Sequence, residues 1–80
     1  MNDPIIILDD GDAVRASTIV RVRYEPETGL ATRKRLARVH VDVADFTWEF
    51  TFRNNKEAMA ERARIIKIIQ EAEAGEQTQP

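Results

Sequence analysis

The chain has no cysteine, and among its 80 residues there is one histidine and one serine. The missing cysteine excludes disulfides and thiolate-bound metals, so packing alone has to hold the fold. That condition suits a reducing compartment. His40 and Ser17 by themselves cannot supply a nucleophile, a base and an orienting group. The chain therefore reads as non-enzymatic, with no catalytic residue, no metal site and no cofactor. Long apolar runs are also lacking. The longest is Ile5-Ile6-Ile7-Leu8, far short of the roughly 20 residues that span a bilayer. The opening Met1-Asn2-Asp3-Pro4 lacks a basic start and a long apolar stretch. The expected setting is the cytoplasm, away from the membrane.

Glycine and proline number three each, and they fall at boundaries between periodic segments. Asp9-Asp10-Gly11-Asp12 is a tight-turn signal, because glycine accepts positive φ without steric cost. Pro26-Glu27-Thr28-Gly29 is a second. The net charge of −2 conceals an uneven distribution. Residues 1–12 and 71–80 carry acids and no base. Residues 13–70 hold all 12 basic residues and 7 acids, a local +5.

Period-two alternation marks four strands. The first spans about Ile5–Asp9 and the second about Ala13–Glu25, where Thr18, Val20, Val22 and Tyr24 alternate with arginines. The third spans about Ala31–Val43, with Ala37, Val39, Val41 and Val43 on one face. Lys34, Leu36, Arg38, His40 and Asp42 occupy its other face. In the fourth, Phe46–Arg53, the residues Phe46, Trp48, Phe50 and Phe52 alternate with Thr47, Glu49, Thr51 and Arg53. Asn54 with Glu57 at the third following position resembles a capping box. A helix over 56–74 follows. Its expected apolar stripe is Ala58, Met59, Ala63, Ile65, Ile66, Ile69 and Ala72, and Gly75 is its expected stop. The expected architecture is α+β: a four-stranded antiparallel β-sheet (β-β-β-β-α) with one C-terminal helix packed on one face. It forms a single domain over 1–74 with a disordered tail over 75–80. Trp48 is expected to be largely buried against the helix, on the face it shares with its aromatic neighbours.

Most chemistry-bearing residues have a plainer reading. Asp9, Asp10 and Asp12 lack the alternate oxygen ligands and distal glutamate of a calcium loop, and read as an acidic turn. His40 reads as an ordinary exposed strand residue. The four aromatics share the face that the helix stripe must cover, so they read as core rather than as a base-stacking platform. The outward basic residues are different. Arg21 and Arg23 share a register on the second strand, Lys34 and Arg38 on the third, and Arg53 ends the fourth. Like charges on adjacent strands repel unless something offsets them. Arginine also suits interfaces, because its planar fork pairs bidentately and is weakly hydrated. Arg21, Arg23, Lys34, Arg38 and Arg53 are thus the candidate partner-binding set.

In format, a solitary domain of this size with a charged outer face and no catalytic set resembles the small inhibitors encoded by phages and mobile elements, such as anti-CRISPR proteins. The resemblance rests on size and architecture over the whole chain and brings no residue roles with it. It implies stoichiometric binding to a protein or ribonucleoprotein of a bacterial defence complex. The alternatives are a small nucleic-acid-binding protein that uses the basic sheet face, and a homodimeric assembly module paired through its sheet. The net negative charge and the buried aromatics weigh against generic nucleic acid.

Overall fold

The computed structural model describes residues 3–29 and 35–77. The elements in chain order are β1 (Ile5–Ile7), β2 (Ala13–Arg15), a 3-10 turn (Ala16–Thr18), β3 (Arg21–Glu25), β4 (Ala37–Val43), β5 (Phe46–Phe52) and α1 (Asn55–Gln77). The α+β class and the C-terminal helix match the sequence reading. The sheet does not. β1 and β2 form a separate antiparallel hairpin, and β3, β4 and β5 form a three-stranded antiparallel sheet with β4 in the middle.

The expected second strand breaks at Ser17-Thr18, for a local reason. The Ser17 amide and hydroxyl both donate to the Asp3 carboxylate, at 2.9 and 2.8 Å. The Thr18 hydroxyl donates to the Arg15 carbonyl at 2.7 Å. Short polar side chains that bond nearby backbone in this way compete with a strand ladder. The chain turns there and leaves the hairpin for the larger sheet. Asp3 is held below the usual carboxylate range by the Ser17 amide and then by its hydroxyl.

The first tight turn forms as read; at the second, Thr28 instead pairs with Arg35 through backbone bonds of 3.0 and 2.7 Å, and the connection between them runs through residues outside those described. Gly11 sits at φ +93°, and the Asp10 side chain accepts the Asp12 amide at 2.9 Å. Ala44 and Asp45 make the two-residue turn between β4 and β5. That turn sets Val41 opposite Trp48 and Val39 opposite Phe50. The part of the third expected strand before Arg35, including Lys34, lies outside the described residues.

At the start of α1 the Asn54 side chain accepts the Glu57 amide at 2.9 Å, the cap its sequence suggests. Glu57 itself takes Arg53 Nε at 3.1 Å. Asn55 accepts the Glu27 amide at 2.7 Å, tying the end of the β3 region to the helix. The helix does not stop at Gly75 but runs to Gln77. Glycine costs only about 1 kcal/mol in a helix interior, and alanine, glutamate and glutamine around it favour continuation.

α1 bridges the two sheets. Ala58 packs on Ala37 and Val39, where small residues allow close approach. Ile65, fully buried, packs with Ile6, Leu8, Val14 and Ala16 of the hairpin region and with Val41 and Phe50 of the sheet. The buried stripe is Ala58, Ile65 and Ala72, flanked by half-buried Ile68 and Ile69. Met59, expected in the stripe, is 52% exposed, and Ala63 is exposed too. The seam is rotated because Glu61 occupies a position on it. Its carboxylate is kept at the edge by Arg64, at 2.7 Å. Arg64 also donates to the Ile7 carbonyl at 2.8 Å, locking helix to hairpin.

One aromatic expectation needs correction, while Trp48 packs against the core. Phe46 is 56% exposed rather than core; it meets Trp48 edge-on with ring centroids 4.9 Å apart. Trp48 is half-buried, and its indole N–H donates to Asp12 of the first turn at 2.9 Å. No helix among the described residues is long and apolar enough to cross a membrane.

Truncating the bridge should be costly. Ile65→Ala is expected to lower stability by about 2–5 kcal/mol, whereas Met59→Ala should stay within about 0.5 kcal/mol. Urea unfolding followed by circular dichroism checks both, and equal losses would contradict the seam described above.

Candidate functional site

The outer face of the three-stranded sheet, opposite the helix, is built from alternate residues of three strands. The register makes three cross-strand rows: Arg21–Asp42–Thr47, Arg23–His40–Glu49 and Glu25–Arg38–Thr51. Side chains on one face of neighbouring strands sit within reach of one another, and here every row mixes charges or polar groups that bond.

Asp42 is the centre. Its Oδ2 accepts Arg21 Nε and Arg23 Nε, each at 2.9 Å. Its Oδ1 accepts Arg23 Nη2 at 3.1 Å and the Thr47 hydroxyl at 2.7 Å. The two arginines, which lie two residues apart on one strand, would repel if left alone. One carboxylate between them cancels that repulsion. The bond from Arg23, then those from Thr47 and Arg21, hold the Asp42 carboxyl far below the usual carboxylate range. The same pairing raises Arg23 further above its ordinary value.

The other two rows are also tied. His40 Nε2 lies 2.6 Å from Glu25 Oε1 in a hydrogen bond, and 3.9 Å from Glu49 Oε2. Arg38 Nη1 donates to Glu49 Oε2 at 3.0 Å. Covered by these long neighbours, His40 and Asp42 are buried at 7% and 8% exposure although they face away from the apolar core. The expectation of an exposed His40 is thus corrected: β3 and β5 on either side close over it.

The candidate residues divide. Arg21, Arg23 and Arg38 come together on this face. Their exposed portions differ, with side chains 64%, 41% and 27% accessible. Arg53 stands apart at the bend before α1, paired with Glu57 and 89% exposed. Lys34 lies outside the described residues. The residues that sequence reasoning did not single out are the acids. Glu25, Asp42 and Glu49 balance Arg21, Arg23 and Arg38 in number, so these six side chains together carry no net charge. Part of this was available from the sequence. A two-residue turn at Ala44-Asp45 already places Asp42 opposite Thr47 and His40 opposite Glu49. The β3–β4 register was not available, because a longer connection precedes it.

Among the described residues no three His, Asp or Glu side chains gather in a way that could hold a metal ion. Asp9, Asp10 and Asp12 shape the first turn, with Asp12 spent on Trp48. No protein-family model, no characterised protein and no solved structure matches the chain.

The Asp42 hub carries a pH signature. A carboxyl held low in the native state contributes stability that is fully present above its unfolded value, about 4. It is lost as pH falls through the lower native value. Acid titration of the wild-type melting temperature should therefore show a decline beginning below about pH 4. Asp42→Asn should melt lower than wild type at neutral pH and show a shallower acid decline. An unchanged acid profile in Asp42→Asn would mean that the hub contributes nothing to stability.

Proposed function

We propose that this chain is a non-enzymatic binding protein whose outer sheet face engages a protein partner, acting as a stoichiometric inhibitor or regulator. A component of a bacterial defence complex, met in the cytoplasm, is the partner class we favour. One observation carries the preference for protein over nucleic acid: the face around Asp42 is charge-balanced. Duplex DNA and RNA attract proteins through uncompensated lysine and arginine that displace counterions from phosphates. Here Asp42 takes Arg21 and Arg23, Glu49 takes Arg38, and Glu25, bonded to His40, adds a third carboxylate to the same face. A mosaic of fixed positive and negative groups suits an equally mosaic protein surface, where complementarity sets specificity and register.

The arginines are also pre-positioned. Arg21 and Arg23 are anchored through Nε to Asp42, while much of each side chain stays exposed. Binding then costs less side-chain entropy than it would with free arginines. A desolvated arginine at the centre of an interface is a frequent hot spot.

Two measurements test the reading. The first is binding to random duplex and single-stranded nucleic acid near 150 mM salt, the physiological screening regime, where no submicromolar affinity is expected. Tight binding there would favour the nucleic-acid alternative. The second is a plasmid-interference assay in bacteria carrying a panel of CRISPR effectors. Relief of interference by at least one effector is expected. Arg21→Ala with Arg38→Ala should abolish it, because losing about 2 kcal/mol or more weakens binding roughly thirty-fold. Arg62→Glu with Lys67→Glu on the exposed helix face should not. Alanine is used on the sheet because a glutamate at position 21 would stand against Asp42 and confuse folding with binding. Failure to relieve any effector would remove the anti-CRISPR form of the proposal.

A further inference from the structure

β5 is an edge strand. It is seven residues long, pairs only with β4 among the described residues, and reads Phe-Thr-Trp-Glu-Phe-Thr-Phe. The two-residue turn makes Val43–Phe46 the first hydrogen-bonded pair of the hairpin. Antiparallel bonding alternates, so Phe46, Trp48, Phe50 and Phe52 bond to β4. The amides and carbonyls of Thr47, Glu49 and Thr51 point the other way. Among the described residues none of these three makes a backbone bond to another element, and all three are exposed. Long edges of β-branched and aromatic residues are usually blunted by lysine, proline, bulges or a covering segment. Within β5 only Glu49 is charged. The opposite edge, β3, is shorter and carries Arg21, Arg23 and Glu25 among its five residues.

We infer that β5 pairs antiparallel with β5 of a second copy, closing a six-stranded sheet across a two-fold axis. Charge complementarity and the length of strand overlap together select the occupant and the register. With Glu49 opposite itself, two carboxylates would face each other directly, which is destabilising. With Trp48 opposite itself, Glu49 would lie opposite Thr47, between Asp45 and Glu49 of the second copy, with no cation from that copy near and only its own Arg38 to offset them. With Thr51 opposite itself, Glu49 would face Arg53 directly, but only Phe50–Phe52 of each strand would overlap. With Phe50 opposite itself, five residues of each strand overlap, Glu49 faces Thr51, Trp48 faces Phe52, and both Arg53 and Glu49 of the second copy lie diagonally across from Glu49. Diagonal neighbours are within reach of long side chains. Arg53 is 89% exposed and can turn from Glu57 to this contact. Threonine, aromatic and charged positions then each meet a suitable counterpart, and the outward groups of Glu49 and Thr51 gain ladder bonds. An isologous pairing of this kind closes after two copies. It also places both outer faces on one side, doubling the surface around Asp42. The inference stands independently of the proposed partner, since it concerns the pure protein alone.

Light scattering on the purified full chain tests it. The expected mass is twice 9.2 kDa, that is a dimer, with a concentration-dependent return to the single-chain mass. Thr51→Pro removes an outward amide without touching the β4 ladder and should weaken dimerisation at least ten-fold. A second readout is independent of how that variant folds. The chain has no cysteine, so introduced thiols are unique. A mixture of Glu49→Cys and Thr51→Cys chains should form a mixed disulfide on mild oxidation, because directly paired positions lie about 5.5 Å apart between Cα atoms. Either variant alone should cross-link far less. A single-chain mass up to the solubility limit overturns the inference. So do masses above the dimer, efficient cross-linking of Glu49→Cys with itself, or a dimer whose mixed variants do not cross-link.

Discussion

The central strand β4 is the constraint around which the molecule is organised. It has a neighbour on each edge and is buried on both faces, from Ala37 through Asp42 with only Arg38 partly open. One face is apolar and solved by ordinary packing: Ala37, Val39 and Val41 are fully buried beneath α1 and the hairpin. The other face carries His40 and Asp42, groups that cannot be buried without hydrogen-bonding partners except at considerable cost. The strands on either side supply those partners. Arg21, Arg23 and Thr47 surround Asp42, and Glu25 meets His40. The polar lattice is thus the condition for having a third strand on that side at all.

The helix meets a different need. A hairpin of two three-residue strands has little stability by itself, and the three-stranded sheet has an apolar face wider than one helical turn can cover. α1 serves both, because its length spans them. Ala58 near its start lies on Ala37 and Val39, and Ile65 further along lies on Ile6, Leu8 and Val14. Arg64 adds a directional lock through the Ile7 carbonyl. The far end of the sheet is left with Phe46 open, and Trp48 is held by a polar tether from the first turn rather than by full burial.

Local pattern decided much of this. The alternation in Phe46–Phe52 and Ala37–Val43 fixed which residues face the helix, since the side-chain period of a strand is two. The turn chemistry at Asp10-Gly11, the cap at Asn54 and the existence of α1 followed from residues within a few positions of each other. The α+β class follows from those elements. The candidate arginines Arg21, Arg23 and Arg38 were correctly placed on one outward face by the same period.

What lies beyond a few residues' reach was decided only in three dimensions. Ser17 breaks the second strand because Asp3, fourteen positions away, captures its amide; alternation alone continues straight through. The sharing of Asp42 by Arg21 and Arg23 depends on the β3–β4 register, set across a long connection and not by a tight turn. The sequence by itself determined that a charged outer face exists and that Arg21, Arg23 and Arg38 share it. Only the tertiary structure decided that its charges cancel, because ion pairing depends on distances of about 3 Å between residues some twenty positions apart.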